Sequence, residues 1–339
     1  AGMLDGGADL FCIETSQDLL QMKAALAAVQ DLFGERKTRI PVITSVTIET
    51  MGTMLMGTEI SAALTALEPY DFITAIGMNC ATGPKEMEEN VRFLTQSSSK
   101  AVFCMPNAGL PENVGGVAHY HLTPEEMEKW MKHFVGDLGV SIIGGCCGTR
   151  KDHIARLASL AGSITTKERS VSWTPSASSI YSSAPLHMEP APVIVGERCN
   201  TNGSKKFKDL ILKEDYEAAV AMAKEQVKEG AHMLDLCVAY VGRDEVRDMR
   251  EVMKLFNTQV TLPVVIDSTE YPVIEEALKL YAGRAIINSI NLEDGEERMA
   301  HVLPLCKRYG AAVIALTIDE LGMAKTREKK FEIAERIID

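Results

Sequence analysis

Three cysteines of this 339-residue chain stand where a ligand set would be built. Cys80 closes the run "FITAIGMNC", and Cys146 with Cys147 closes "SIIGGCC". Each follows an apolar, β-branched stretch, and the C-terminal end of a parallel strand is where α/β folds carry their chemistry. Cys80 and Cys146 are 66 positions apart (146 − 80), the length of two strand–helix units. In a barrel, such strands converge on one point above the sheet. Three thiolates with an open fourth position make a zinc site of the catalytic type. Zinc would hold a substrate thiol as thiolate at neutral pH, where a free thiol, with a pKa of about 8.5, is mostly protonated. Gly144 and Gly145 are expected to let the backbone bend so that both neighbouring cysteines reach one ion. Two other readings of the pair stand beside this one: small residues buried in a core, and a strained vicinal redox pair. Beyond the pair, "GTRKDHI" opens a helix. Thr149 is expected to cap it, with Asp152 three residues on. His153 is a candidate fourth ligand, but it falls on that helix, away from the strand end.

A second group is carboxylate- and amide-rich. Glu197, Arg198 and Asn200 end "PVIVGERCN", Asp235 lies in "AHMLDLCVA", Asp267 in "LPVVIDST", Asn288 in "AIINSIN" and Asp319 in "AAVIALTIDE". Each polar residue again sits at a strand's C-terminal end. The alternative for each is a cap on the following helix; for Asp267, followed by Ser-Thr, capping is as good a reading.

The elements that must position these residues alternate regularly. "DLFCIET", "IPVITSVTI", "FITAIGMNC", "AVFCMPNAG" and "SIIGGCC" are each followed by a helical pattern, giving five strand–helix units in residues 1–162. Near-continuous apolar strands alternating with helices predict parallel sheets covered on both faces. Residues 163–192, rich in Ser and Pro, hold no period and read as a linker. The alternation resumes over 193–339 with five more units.

Composition narrows the function. The net charge of −12 argues against a phosphate-backbone partner, which requires clustered Lys and Arg, so no nucleic acid is expected. No apolar run approaches the roughly 18 residues needed to span a membrane. Eight cysteines dispersed over a long chain read as free thiols of a reducing, cytoplasmic compartment rather than as a disulfide scaffold. The chain opens "AGMLDGGAD", like the end of a helix entering a strand, and stops within the amphipathic "EKKFEIAERIID". Both ends look cut, and an internal piece of a longer protein is expected.

The stretches "IGMNCATGP", "MPNAGLP" and "IIGGCCGT" resemble the homocysteine-binding barrel of the zinc-dependent homocysteine methyltransferases. "VGERCNTNGSKKFK", "VVIDST", "IINSI" and "YGAAVIALTIDELG" resemble the pterin-binding barrel of the methyltetrahydrofolate methyltransferases. In this order, joined by a linker, the two resemble the cobalamin-dependent methionine synthases over nearly the whole chain. The resemblance implies two consecutive (β/α)8 TIM-type barrels, each present in part. Residues 1–162 would be the C-terminal part of a homocysteine barrel, and 193–339 the N-terminal part of a pterin barrel. It implies Cys80, Cys146 and Cys147 as zinc ligands, with Asn79 and the Asn107, Ala108 and Gly109 loop shaping the homocysteine pocket. It implies Glu197, Asn200, Asp235, Asp267 and Asn288 around the pterin, where carboxylates accept its N–H donors and an amide matches mixed donors and acceptors. Cys199 and Cys237 depart from the family's usual Thr and Asn.

The implied reaction moves a methyl group from methyltetrahydrofolate, through cobalamin, to zinc-bound homocysteine. The cobalamin would be carried by a module outside this chain, in the same longer protein or in a separate corrinoid protein. Five strands of eight would leave open edges, so the piece alone is not expected to be a competent enzyme. The competing class is a non-catalytic pterin- or metal-binding protein.

Overall fold

A computed structural model describes residues 1–339. Its chain divides into two units, Ala1–Thr174 and Pro175–Asp339. No helix is long and apolar enough to cross a membrane.

The first unit is organised by a five-stranded parallel sheet. Its strands are β1 (Phe11–Ser16), β2 (Val42–Val46), β3 (Ile73–Asn79), β4 (Ala101–Met105) and β5 (Ile142–Ile143), in that spatial order. The order follows the sequence, as strand–helix–strand units built in one direction require. Side chains alternate across the pleat. Ile43, Ala75 and Phe103 form a cluster on one face. Val42, Ile76, Met78 and Val102 are also fully buried, as are Leu26, Leu67, Val91 and Leu94 of the flanking helices. Each such aliphatic side chain contributes about 1.5–3 kcal/mol on burial.

Helix starts follow from local chemistry. Asp18 accepts a hydrogen bond from the Gln21 amide at 2.7 Å ahead of helix Leu19–Arg36. Thr123 and Glu126 form a reciprocal capping box, with Pro124 in the first turn of helix Pro124–His133. A short antiparallel hairpin, Glu112–Val114 with Val117–His119, follows β4; its three-residue strands are exposed and lack an apolar alternation that sequence could register.

The second unit repeats the plan with β6 (Val195–Asn200), β7 (Met233–Cys237), β8 (Val264–Asp267), β9 (Ile286–Ile290) and β10 (Ala312–Ala315), again in sequence order and parallel. Leu234, Leu236, Val264, Ile266, Ile287 and Ile290 pack among the surrounding helices. Met233, Val265 and Ile286 face the opposite side, where they meet Ala177 and Ala184. Both folds are mixed α/β, parallel five-stranded sheets flanked by helices, consistent with partial TIM-type barrels.

Residues 163–192, expected as a linker, hold two short strands, Ser176–Ser178 and Ser183–Pro185. Over 163–174 the chain is tied to the first unit: Arg169 donates to the carbonyls of Thr95, Ser98 and Lys100, and the Ser172 amide donates to Gln96 O at 2.8 Å. Beyond Thr174, Ser176–Ser178 and Ser183–Pro185 pair as a hairpin of the second unit. Its Ala177 and Ala184 cover the lower inner face of the sheet.

Candidate functional site

Cys80 lies one residue beyond β3 and Cys146 three beyond β5, so both strands deliver their cysteines to the same edge of the first sheet. The three sulfurs all lie within 4.8 Å of one another, and Cys80 Sγ is 3.7 Å from Cys147 Sγ. A tetrahedral zinc with Zn–S near 2.3 Å has a sulfur–sulfur edge of about 3.8 Å. The Cys80–Cys147 edge matches that spacing, and Cys146 Sγ lies close enough to complete a third corner. Burial, and then the Cys146 and Cys147 thiols, push the Cys80 thiol up to about 12, against a hydrogen bond from the Ala81 amide. Without a cation the Cys80 thiol keeps its proton; a divalent ion reverses that balance. The core-packing reading of the pair does not hold, since Cys147 is exposed and Cys146 half-buried.

The loops are held rather than merely flexible. The Cys146 amide donates to Pro106 O at 2.8 Å, the Cys147 amide to Asn107 Oδ1 at 3.0 Å, and the Ala108 amide to Cys147 O at 2.9 Å. Asn107, Ala108 and Gly109 are thus a cradle for the cysteine pair, with Gly109 at φ +89°. Gly144 and Gly145, expected to supply a bend, supply space instead. A Cβ on Gly144 would meet Met105 Cγ at 3.1 Å, and one on Gly145 would meet Thr149 Cγ2 at 2.5 Å. The left-handed residue of this loop is Gly148, φ +78°, where a Cβ would lie 2.2 Å from Tyr120 Cγ. Tyr120 belongs to the site: burial and the adjacent Cys147 thiol raise its phenol above the ordinary range.

Thr149 does not cap the helix as expected. Its hydroxyl donates to Cys146 O at 2.6 Å, and the helix starts after Arg150, whose amide donates to His153 Nδ1 at 3.2 Å. His153 Nε2 meets Leu122 O at 2.9 Å. Both ring nitrogens are spent, so His153 is not a fourth ligand.

Asn79, almost fully buried, is the hub beneath the sulfurs. Its Oδ1 accepts from the Thr15 amide at 2.9 Å and the Ser45 hydroxyl at 2.5 Å. That fixes the amide orientation, so Nδ2 donates towards Thr15 Oγ1 (2.7 Å), Glu14 Oε2 (3.2 Å) and Cys146 Sγ (3.8 Å). Glu14 and Thr15 were missed in the sequence. They lie in the last three residues of β1, close to where Asn79 ends β3, so the strand-end rule that found the cysteines points to them too.

In the second unit, the inner face changes from apolar to polar towards the strand ends. Asn200 Nδ2 donates to Asp235 Oδ2 at 2.8 Å and to Asp267 Oδ2 at 3.0 Å, while its Oδ1 accepts from the amides of Asn202 and Gly203. Burial, with the charges of Asp267 and Glu197, pushes the Asp235 carboxyl up to about 6 despite the Asn200 hydrogen bond. Burial raises Asp267 as well. Glu197 is exposed and acts on the pair through its charge. Asp267 makes no helix cap: helix Tyr271–Leu280 starts at Glu270, whose amide donates to Ser268 Oγ at 3.1 Å. Asp267 and Asn288, paired in register on β8 and β9, line a cleft of about 550 Å³.

Three residues singled out in the sequence lie elsewhere. Asp319 sits on a small hairpin past β10 and is spent on Lys329 Nζ at 2.9 Å. Cys199 is buried in the helix-facing core, with Gln226 Nε2 at 3.1 Å from its sulfur. Arg198 is exposed and bound to Glu229. Cys237 does face the polar end, where Asn202 Nδ2 approaches its sulfur at 3.7 Å.

A family model described as homocysteine S-methyltransferase matches residues 1–161, and one described as pterin binding enzyme matches residues 196–338. The methionine synthase of Mycobacterium tuberculosis is 48% identical over 341 residues, an alignment covering 100% of this chain and 28% of that protein. The methionine synthase of Mycobacterium leprae is 47% identical over 346 residues, covering 100% of this chain and 29% of that protein. The chain thus spans less than a third of the length of these relatives.

Proposed function

Because residues 1–161 match the homocysteine S-methyltransferase family model and residues 196–338 the pterin binding enzyme model, we propose that this chain carries the acceptor and donor sites of a methionine synthase. Homocysteine would be the acceptor in the first unit and 5-methyltetrahydrofolate the donor in the second. The observation that carries the reading is the cluster of three sulfurs within 4.8 Å, shaped for one tetrahedral ion.

Cys80, Cys146 and Cys147 would hold zinc, leaving one position for the homocysteine sulfur. Bound there, zinc would supply Lewis acidity that keeps a thiol deprotonated at neutral pH. The chain's own groups do the rest. Asn79 steadies Cys146 by its Nδ2 donor, and the Asn107 side chain and Ala108 backbone fix Cys147. Glu14 lies on the same amide hub and offers a carboxylate to the substrate's ammonium group. In the second unit, Asp235 and Asp267 accept pterin N–H donors while Asn200 keeps the two carboxylates together. Asn288 offers both a donor and an acceptor from the neighbouring strand.

Cobalamin, as the methyl carrier, would be bound outside this chain. The greater length of the relatives supports its being on the same polypeptide. Eight free cysteines support a reducing, cytoplasmic setting. The test is transfer of labelled methyl from 5-methyltetrahydrofolate to homocysteine by the full-length protein with cobalamin. Labelled methionine is expected from wild type and not from C147S. Equal yield from the two would overturn the reading.

A further inference from the structure

Arg298 opens helix Glu297–Tyr309 behind β9. Its guanidinium makes three hydrogen bonds, all to main-chain carbonyls: Nε to Ser289 O at 2.7 Å, one terminal nitrogen to Thr269 O at 2.6 Å, and the other to Ser268 O at 2.9 Å. These carbonyls belong to two different strand ends. Ser268 follows Asp267 directly, and Ser289 follows Asn288 directly. Arg298 lines the same cleft as both ligands. A planar fork reaching three fixed acceptors is work that Lys, with one nitrogen on a flexible stem, cannot reproduce.

We propose that Arg298 is a positioning residue for the pterin site: it clamps the loop after β8 to the C-terminal end of β9 and so sets the spacing of Asp267 and Asn288. The inference rests on the pterin reading above. The clamp also brings a cation to Asp267. The charged and titratable groups around that carboxyl are Glu197 from β6, Asp235 and Cys237 from β7, Glu245 from helix Glu245–Gln259, and Arg298 itself; of these, Arg298 draws the Asp267 carboxyl down.

The test measures 5-methyltetrahydrofolate binding by calorimetry between pH 5 and 8 in the full-length protein, with R298A, R298K and D267N beside wild type. R298A should bind at least tenfold more weakly at pH 7.5, and its acidic loss of binding should move to higher pH. R298K, keeping the charge but losing the fork, should weaken binding and leave the acidic loss in place. R298A within twofold of wild type, or weakened with its pH profile unmoved, overturns the assignment. If R298A does not fold, R298K within twofold of wild type overturns it instead. Wild-type affinity in D267N would overturn the pterin reading itself; weak binding in D267N with R298A unaffected overturns only the role of Arg298.

Discussion

Cys80 Sγ and Cys147 Sγ lie 3.7 Å apart although 67 residues separate them in the chain. That closeness depends on two strand ends, β3 and β5, separated in the sheet only by β4. It is the spacing at which one ion, rather than a disulfide at about 2 Å, bridges two sulfurs.

Replacing Cys80, Cys146 or Cys147 by Ser removes one of three corners. Each variant is expected to fall from about one zinc per chain to well below half, read by metal analysis after dialysis. A triple variant retaining stoichiometric zinc would place the metal elsewhere.

Asn79→Ala leaves the buried Ser45 hydroxyl and the part-buried Thr15 amide without their acceptor. A cost of about 1–3 kcal/mol is expected, seen in chemical unfolding, together with weaker homocysteine binding. Wild-type stability would show that the hub is replaceable by water.

Gly148→Ala meets two obstacles, a left-handed φ of +78° and the Tyr120 ring. The backbone term alone costs roughly 1–2 kcal/mol. The change should also loosen zinc, because the loop carrying Cys147 must move. Retention of both wild-type stability and wild-type zinc affinity would contradict the packing described.

Asp235 makes the chain pH-sensitive. Its folded-state carboxyl, at about 6, is above the unfolded value of about 3.9. The stability this gives is full below the unfolded value and is lost as pH rises through the folded one. Unfolding free energy should therefore fall in wild type relative to D235N between pH 4 and 6, by on the order of 2 kcal/mol. If Asp235 is the pterin acceptor proposed above, pterin binding should strengthen over the same window in wild type. A difference between wild type and D235N that stays flat over this range would remove Asp235 as the titrating group.

Much of the site was legible because parallel strands bring their C-terminal residues together whatever the helices between them do. Cys80, the Cys146–Cys147 pair, Asp235, Asp267 and Asn288 all follow from that rule. What escaped was set by tertiary competition. The Thr149 hydroxyl had two acceptable partners, and the Cys146 carbonyl outcompeted the helix cap. Asp319 was drawn to Lys329 of a helix beyond its own strand. Gly144 and Gly145 looked like hinges, but the constraint at each is a neighbouring side chain that no local pattern announces.

Residues 175–192 show the same limit in the fold. Ser and Pro density reads as linker, and a three-residue strand carries too little alternation to correct it. Ala177 and Ala184 find their partners in Met233, Val265 and Ile286, which are far away in sequence. Ala177→Glu is accordingly expected to destabilise the second unit by several kcal/mol, since it buries an unpaired charge, while zinc content stays at the wild-type level. An unchanged unfolding curve would mean that the hairpin adds nothing to the fold.

The most direct measurement is zinc-edge X-ray absorption on the full-length protein before and after addition of homocysteine. One zinc per chain with three sulfur neighbours, becoming four when homocysteine is added, is the predicted result. Metal-free protein, or a sulfur count that homocysteine leaves unchanged, would contradict the assignment of Cys80, Cys146 and Cys147 as the site that receives the acceptor thiol.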